Sequence, residues 1–413
     1  MTFNWKRIGL VVGFVLITIG IGITIYFVFF KGLFGVGLNR NENINGAEFP
    51  NINANRNVNA PLINVNVQVP NINVSLEPGP IAKGGKTTVS PVAPTIPGGA
   101  TLAPNGKDLI YYDPVTGKFY QISPDGRTKT LLSPDTYPAA DKITWSPLKD
   151  KVILEFPDGS KIIYDIRQKR QYTLAPEMED IGFSPTGDKI TFKFIGSDES
   201  DQLLVMSNFD GSGAETLEPL ADKANQFDVN WSPSGNIVAL FQESINATQQ
   251  RVIPIGTKNE NFKSFDVPGR GFESTWSPDG QQILFSVFRK DTGYNPELYI
   301  ADGTSDSMGN NTTDLGLATW PDKCVFGAGS TLYCAVPQYL DQGSGLYTDL
   351  AKDVPDDFYR IDLSTGQKQL IARPVDSEGT SDYNAVQLRL ANDGSALYFY
   401  DQRSRTYQKI LLR

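Results

Sequence analysis

A short motif recurs seven times between residue 98 and the end of the chain. Each copy is an apolar strand ending in an aromatic or large apolar residue, then Ser-Pro-x-Gly or a variant, then a second apolar strand. Successive copies are 43, 38, 48, 45, 49 and 65 residues apart, close to the roughly 40–45 residues of a four-stranded propeller blade. The sequence therefore predicts an all-β fold, a seven-bladed β-propeller, with six or eight blades as the alternatives. The clear copies begin at Trp145, Phe183, Trp231 and Trp276, and the looser ones at Leu102, Val325 and Leu390.

The turn of the motif has a conformational reason. Proline presets φ for the first turn position, and glycine supplies the positive φ that lets the chain reverse into the next strand. We expect the aromatic residue just before the turn to pack between neighbouring blades. The turn glycines predicted in this way are Gly106, Gly187, Gly235, Gly280 and Gly394.

The last unit lacks a fourth strand, because only the segment TYQKILLR follows its second strand. Residues 86–91, KTTVSP, resemble the fourth strand of the first unit, TKTLLSP at residues 128–134. We predict that residues 86–91 complete the final blade. One strand from the start of the domain and three from its end would then close the ring and remove an exposed edge.

These WSPDG-type units resemble the repeats of TolB-like propellers, a WD-repeat-like group that also includes the propellers of prolyl-oligopeptidase-type and Tricorn-type peptidases. The resemblance covers about 330 residues. It implies a propeller, often extracytoplasmic, that binds proteins or peptides through one face or through the channel. TolB itself has six blades, so seven units depart from it. The peptidases add an α/β-hydrolase domain, for which we find no G-x-S-x-G elbow.

Residues Ile8 to Phe30 form an uncharged apolar run between Arg7 and Lys31. As a helix this run would be about 34 Å long, slightly more than the hydrocarbon core of a bilayer. It is longer than the apolar region of a signal peptide, has no small-residue cleavage site after it, and lacks the polar face of a core helix. We therefore predict a single uncleaved transmembrane helix after a short tail at residues 1–7.

The orientation rests on a weaker signal, since Lys and Arg are nearly balanced on the two sides of the run. The very short leading tail favours a cytoplasmic N-terminus. This predicts a single-pass protein of the plasma membrane with its large domain outside the cytoplasm.

Residues 31–85 are rich in asparagine and proline. Asparagine occupies every second position in much of this stretch, which formally matches the alternation of a strand. Asparagine is depleted in strands and proline recurs, so we interpret the segment as a disordered tether. As a flexible coil, residues 39–85 would reach about 35–40 Å. The predicted domains are thus the tail, the helix, this linker, and a propeller over residues 86–413 with an insertion at 339–354.

The composition excludes several classes of function. The chain contains no histidine, which removes Ser-His-Asp and Cys-His catalysis and histidine-ligated zinc. A net charge of −9 argues against nucleic acid as a partner. The acidic residues that could suggest calcium do not fit an EF-hand loop: Asp302, Asp306, Asp356 and Asp357. We therefore predict no catalytic, cofactor-binding or metal-binding residues.

Cys324 and Cys334 are the two cysteines of the chain. A turn between them would place them opposite each other in a hairpin, within range of a disulfide. The alternative is a pair of small apolar residues in a reduced core. An exported domain favours the disulfide.

An anchor, a tether and a propeller without a catalytic constellation favour a binding scaffold of the cell envelope, with a protein or peptide as its ligand. The insertion at 339–354 is a candidate for shaping the binding surface, and the loops 288–297 and 303–313 are weaker ones. The first alternative is a hydrolase or lyase that uses carboxylates in the propeller channel. The second is a surface structural protein whose asparagine-rich segment self-associates.

Overall fold

The structure of the protein, a computed structural model, describes residues 77–413. The predicted tail, the predicted transmembrane segment Ile8 to Phe30 and most of the predicted linker lie outside the described residues. Within residues 77–413, no helix is long and apolar enough to cross a bilayer.

The described chain forms seven separate sheets, which confirms the prediction of an all-β seven-bladed propeller. Before the first blade come β1 (Gly85–Thr88) and β2 (Ser90–Pro94). Blade 1 contains β3 (Ala100–Leu102), β4 (Leu109–Asp113), β5 (Lys118–Ile122) and β6 (Lys129–Leu131). Blade 2 contains β7 (Lys142–Trp145), β8 (Lys151–Glu155), β9 (Lys161–Asp165) and β10 (Arg170–Leu174). Blade 3 contains β11 (Met178–Phe183), β12 (Lys189–Ile195), β13 (Gln202–Asn208) and β14 (Glu215–Pro219).

Blades 4 and 5 follow the same order of four strands. They contain β15 (Phe227–Val229), β16 (Ile237–Asn246), β17 (Gln249–Gly256) and β18 (Phe265–Val267), then β19 (Arg270–Trp276), β20 (Gln282–Phe288), β21 (Pro296–Asp302) and β22 (Thr313–Asp314). Blade 6 contains β23 (Cys324–Phe326), β24 (Thr331–Pro337), β25 (Asp356–Asp362) and β26 (Lys368–Val375), and blade 7 contains β27 (Ala385–Leu390), β28 (Ala396–Asp401) and β29 (Thr406–Leu411).

Helical structure in the described chain is confined to four short 3₁₀ helices. They span Glu199–Asp201, Ala221–Gln226, Pro321–Lys323 and Thr348–Ala351.

Each blade buries both of its faces. On β20, Phe285 packs into the hydrophobic cluster shared with blade 4, whereas its neighbour Leu284 packs into the cluster shared with blade 6. Seven such clusters join successive blades, and one of them joins blade 7 to blade 1. Alternate side chains of a strand point to opposite faces, so the nearly continuous apolar runs in the sequence are what a doubly buried sheet requires.

One N-terminal strand completes the last blade, but it overlaps the predicted segment 86–91 only at Ser90 and Pro91. β2 pairs antiparallel with β29 and forms the outermost strand of blade 7, while β1 pairs parallel with β26 of blade 6. The chain passes from one sheet to the next at Val89, whose side chain packs in the cluster between these two blades. Pro91 and Pro94 are tolerated in β2 because an outermost strand has one side that needs no N–H donors.

The end of the predicted linker is also part of this seam. Ile81 bridges to Leu411, and Ala82 N donates to the Leu411 carbonyl at 2.8 Å. Contacts with the propeller therefore begin before the predicted boundary at residue 85.

The serine of the motif turn forms a hydrogen bond to the backbone. Gly187 N donates to the carbonyl of Ser184 at 2.9 Å, which closes the β-turn, while Ser184 Oγ accepts from Lys189 N at 3.1 Å on the next strand. The serine thus satisfies a backbone donor at the strand end that no ladder partner reaches. The predicted turn glycines have φ of 68°, 68°, 75°, 69° and 70° at Gly106, Gly187, Gly235, Gly280 and Gly394.

The motif aromatics lie between blades. The Trp145 ring on β7 meets Phe119 of blade 1 edge-on, with ring centroids 5.5 Å apart. The other motif aromatics pack in the hydrophobic clusters that join their own blade to the preceding one: Phe183, Trp231 and Trp276. The large side chain at this position therefore fills the wedge between two adjacent sheets.

Cys324 and Cys334 face each other on the first two strands of blade 6. They are directly paired in the β23–β24 ladder, with Cα atoms 4.1 Å apart and the sulfurs joined in a disulfide. Both side chains are buried in the cluster between blades 5 and 6. The crosslink therefore ties the innermost strand of blade 6 to the strand beside it.

Replacing both cysteines with alanine is expected to lower the free energy of unfolding by about 2–3 kcal/mol. The two residues are ten positions apart, and the crosslink removes the closure entropy of that loop from the unfolded chain. The unfolding temperature of the full-length protein, with and without reductant, checks this. The reduced wild type should match the double variant, and a wild type insensitive to reductant would contradict the prediction.

Candidate functional site

The two faces of the ring carry different parts of each blade. The motif turns, between the first and second strands, lie on what we call the lower face. The connections between blades, and the loops between second and third strands, lie on the upper face. The first strands of neighbouring blades approach one another, as β11 does β15 and β23 does β27, so the first strands surround the ring axis.

A cavity of about 650 Å³ opens on the upper face. Its lining includes Asp141 from the connection to blade 2, Glu273 of blade 5, Asp322 ahead of blade 6 and Arg405 of blade 7. Residues from blades so far apart around the ring can share one cavity only near the ring axis. We call this cavity the funnel, since it is the upper mouth of the central channel.

The insertion forms one wall of the funnel. Residues 338–355 connect β24 to β25, and Thr348 and Asp353 are among the residues that line the cavity. On one side, Gly343 N donates to the Gly293 carbonyl at 2.8 Å, in the loop of blade 5 that the sequence marks as a weaker candidate. On the other side, Asn384 Nδ2 donates to the Ala351 carbonyl at 2.7 Å. The insertion therefore spans blades 5 to 7 and is held at both ends.

The insertion also exposes apolar side chains. Tyr339, Leu346, Tyr347 and Leu350 are 60%, 46%, 69% and 44% exposed. They are four of the nine large hydrophobic residues exposed anywhere in residues 77–413. Exposed apolar residues on a segment that also lines a concave site are typical of surfaces that bind proteins or peptides.

A buried ion pair supports this wall from below. Lys323 Nζ lies 2.7 Å from Asp356 Oδ2, with the two side chains 5% and 0% exposed. The same carboxylate oxygen accepts from Ala385 N at 2.6 Å, and Asn384 Oδ1 lies 3.4 Å from Lys323 Nζ. The network joins the start of blade 6, the end of the insertion and the start of blade 7. Asp356 thus has a structural role, and its sequence neighbour Asp357 pairs separately with Arg373 at 3.2 Å.

Carboxylates from four successive blades follow the channel wall. Asp180, Asp228 and Glu273 each stand three residues before the motif aromatic of blades 3, 4 and 5, and Asp322 lies in the 3₁₀ helix just ahead of β23. Asp180 is compensated, because its Oδ2 lies 3.0 Å from Lys193 Nζ and accepts from Val229 N at 3.1 Å. The row is therefore least neutralised toward blades 5 and 6.

Glu273 and Asp322 are the uncompensated members of the row. Among the described residues, neither side chain forms an ion pair, and both are exposed to solvent in the funnel. Desolvation by the surrounding funnel walls raises the pKa of Glu273 to about 7, and the charges of Asp322 and Asp228 act in the same direction. Desolvation also raises the pKa of Asp322, which the Lys323 ammonium partly opposes. These two carboxyl groups can accept a cationic ligand, and Glu273 can also exchange a proton near neutral pH.

The opposite rim carries positive charge that is partly neutralised. Arg403 Nη1 lies 3.8 Å from Asp382 Oδ1, and Lys352 Nζ lies 3.9 Å from Asp349 Oδ1. The funnel is thus acidic toward Glu273 and Asp322 and basic toward blade 7, which contributes Arg403 and Arg405, while the insertion contributes two aspartates and one lysine. A group of three or more histidine, cysteine, aspartate or glutamate side chains arranged to hold a metal ion does not occur in the part of the chain that the structure describes.

The residues that the sequence singles out do not lie in the funnel. The motif aromatics and turn glycines build the lower face, and the two cysteines lie within blade 6. Only the predicted insertion contributes to the funnel directly. Sequence reasoning missed Glu273 and Asp322, although a readable signal existed for the row: the position three before the motif aromatic is acidic in three successive units.

Comparisons with known proteins identify no family for this chain. No protein-family model matches the sequence, and no curated protein matches it. Among solved structures, an oligogalacturonate lyase in complex with manganese aligns at 10% identity and a TM-score of 0.48, over 79% of this chain and 91% of that one. The Cps50 (Swd1) propeller domain of Myceliophteria thermophila aligns at 10% identity and 0.49, over 79% and 97%. An oligogalacturonate lyase of Vibrio parahaemolyticus aligns at 10% identity and 0.46, over 78% and 91%.

Likeness at this level says nothing about activity or partners. The seven-bladed architecture rests on the seven sheets and the clusters between them.

Replacing Glu273 with glutamine is expected to raise the unfolding temperature at pH 8 and to leave it nearly unchanged at pH 5. The folded-state pKa of about 7 lies above the ordinary value of 4.5, so the native protein loses stability as pH rises between these values. Glutamine removes the charge that causes the loss. Thermal unfolding of the full-length protein from pH 5 to pH 8 measures the difference.

The matched control is Glu378→Gln, since Glu378 is also exposed but does not line the funnel. Its effect should not change across this pH range. A Glu273→Gln difference that is the same at pH 5 and pH 8 would show that the carboxyl group titrates normally.

Proposed function

We propose that the protein is a membrane-anchored binding platform whose funnel receives a segment of a partner protein or peptide that carries both apolar and cationic side chains. The observation that carries the proposal is the insertion, which exposes four large apolar residues and contributes Thr348 and Asp353 to the lining of the funnel. Its two ends are fixed to neighbouring blades, so the apolar surface is presented without the entropic cost of ordering a loose loop.

The acidic side chains of the funnel favour a partner segment that carries a positively charged side chain. A lysine or arginine that reaches Glu273 and Asp322 would supply the positive charge that these carboxylates lack among the described residues. The apolar neighbours of that residue would then lie on the insertion. The resemblance of the repeat to TolB-like propellers supports a protein or peptide ligand, because such propellers bind proteins or peptides through one face or the channel.

The location of the platform is part of the proposal. Residues 8–30 anchor it in the plasma membrane with the N-terminus in the cytoplasm, and residues 31–85 hold the propeller outside. The apolar run and the asparagine-rich composition support this, as does a disulfide in blade 6, since disulfides persist in oxidising compartments.

A second candidate function is hydrolysis or elimination by the funnel carboxyl groups. The observation in its favour is the pKa of Glu273, about 7, which suits a general acid or base at neutral pH. The insertion's exposed apolar residues favour binding over this alternative. Self-association through the asparagine-rich residues 39–85 remains a prediction, since most of those residues lie outside the described chain.

Binding is tested with three labelled peptides of equal length in which leucine alternates with lysine, serine or glutamate. Fluorescence anisotropy with the full-length protein at pH 8 should show the lysine peptide binding at least about tenfold tighter than the glutamate peptide. Glu273→Gln together with Asp322→Asn should remove most of that preference. Tyr347→Ser with Leu350→Ser should weaken all three peptides, because the apolar contact is common to them.

Glu378→Gln is again the control and should bind like the wild type. Equal affinity for the lysine and glutamate peptides would overturn the proposed charge selection. Turnover of a glycan or peptide substrate that disappears in Glu273→Gln would instead favour the enzymatic candidate.

The location is tested by adding protease to intact cells that express the full-length protein. Cleavage in the linker that releases the propeller, with a cytoplasmic marker left intact, is the expected result. Protection of the propeller until the cells are lysed would place it inside and contradict the proposed orientation.

A further inference from the structure

On the lower face, the motif turn of blade 2 has a lysine at the position where the other clear copies have glycine. In blade 2 the motif reads Trp-Ser-Pro-Leu-Lys-Asp, so Lys149 occupies the position that glycine fills in the other clear copies. Lys149 keeps the glycine conformation, with φ of 61°. A residue with a Cβ is strained in this left-handed region by about 1–2 kcal/mol. The chain therefore accepts a local cost to place a lysine at this point.

The geometry of the equivalent glycines shows which way a side chain at this position points. A Cβ built on Gly235 would lie 4.0 Å from Pro185 Cγ, and one on Gly280 would lie 3.4 Å from Pro233 Cδ. In both cases the nearest atom belongs to the motif turn of the preceding blade. The side chain of Lys149 accordingly extends over the turn of blade 1, in the direction of blade 7.

Lys149 meets a second cation there. Lys149 and Arg389 line the same cavity of about 480 Å³, together with Pro104 and Gly106 of blade 1 and Asn392 of blade 7. Within the described part of the chain, no carboxylate lines this cavity. Burial, together with the charge of Arg389, lowers the pKa of Lys149 to about 8.

Neither cation is neutralised by the described residues. Within residues 77–413, neither forms an ion pair. Arg389 Nη1 donates to the Leu388 carbonyl at 2.9 Å, and the nearby acidic residues are already engaged. Asp150 lies 3.2 Å from Lys151 Nζ, and Asp393 lies 3.5 Å from Lys107 Nζ.

Another lower-face cavity provides an internal contrast. The cavity between the turns of blades 3 and 4 is lined by Lys189 and Lys258, but also by Asp188 and Glu215. Its cations are thus accompanied by carboxylates. The cavity of Lys149 and Arg389 is unlike it in carrying positive charge alone.

We propose that Lys149 and Arg389 form a binding site for an oxyanion at the lower mouth of the channel, with a phosphate or carboxylate group as the ligand. A bound oxyanion would lie between the ammonium and the guanidinium and convert their repulsion into two charge-assisted hydrogen-bonding interactions. It would also account for a strained lysine where the repeat supplies glycine, because such strain is retained where it serves binding. The site is on the opposite face from the funnel and does not depend on the function proposed above.

Lys149→Gly separates binding from folding. Glycine relieves the left-handed strain, so this variant should unfold at a higher temperature than the wild type in buffer without oxyanion. It should nevertheless lose the response to the ligand. A variant that only damaged the fold would instead lower both the unfolding temperature and the response to the ligand.

The test is a titration of the full-length protein with inorganic phosphate at pH 7, with sodium chloride at matched ionic strength as the reference. The unfolding temperature of the wild type should rise with phosphate beyond the chloride reference and approach saturation. Lys149→Gly and Arg389→Gln should each weaken the apparent affinity at least about tenfold. Lys258→Gln, which alters a cation of the balanced cavity, should respond like the wild type.

Parallel titrations with acetate and succinate distinguish the source of the oxyanion. A response to phosphate alone assigns a phosphate-bearing ligand, and a response to all three assigns oxyanions generally. A wild type that responds no more to any of them than to chloride overturns the proposal, as does a response that Lys149→Gly retains in full.

Discussion

Every blade of this protein is a sheet with two apolar faces, and neither face can be left in water. A blade is stable only when it is packed against two others, so the stack must close on itself. The cluster that joins blade 7 to blade 1 is therefore as necessary as any other. The placement of β2 beside β29 follows from this constraint, because blade 7 has only three strands of its own to offer its neighbours.

Closure also produces the two candidate sites. Once seven first strands surround one axis, side chains at the same position of the repeat converge there even though they lie some 45 residues apart in sequence. On the upper side this convergence brings carboxylates of successive blades into one electrostatic field, where each raises the proton affinity of the next. On the lower side it brings a lysine of blade 2 within reach of an arginine of blade 7. The repeated strands and turns form the ring, and residues that differ from the repeat provide the charged groups of the lower-face site.

Much of this architecture is readable from the sequence. The spacing of the motif predicts seven blades, and the Ser-Pro-x-Gly pattern predicts the turns with their positive φ. The closure by an N-terminal strand is also readable, but its position is not. The predicted segment 86–91 runs across the point where the chain passes from blade 6 to blade 7, since β1 ends at Thr88, β2 begins at Ser90, and Val89 fits into the cluster between these two blades. Sequence similarity to the fourth strand of the first unit contains no information about that fit.

The sites are less readable, for a different reason. The acidic residue three positions before the motif aromatic is visible in three units, yet its role depends on the charged neighbours that other strands and blades bring beside it. Glu273 lacks a cation partner among the described residues, whereas Asp180 has Lys193, and nothing local in the sequence distinguishes the two. Lys149 is the exception, since a lysine in a glycine position stands out when the repeats are aligned with one another. Its partner Arg389 lies 240 residues away in the chain.

β2 is synthesised long before β29, the strand with which it pairs. Ser90 is matched with Lys409, so a ribosome that makes about 5–20 residues per second completes β2 roughly 15–60 s before its partner exists. During that interval β2 is an unpaired strand, free to associate with another nascent chain. Pro91 and Pro94 interrupt its row of backbone donors, and proline on an exposed edge discourages such association. The same two prolines that fit an outermost strand in the finished ring also protect the growing chain while the ring is still open.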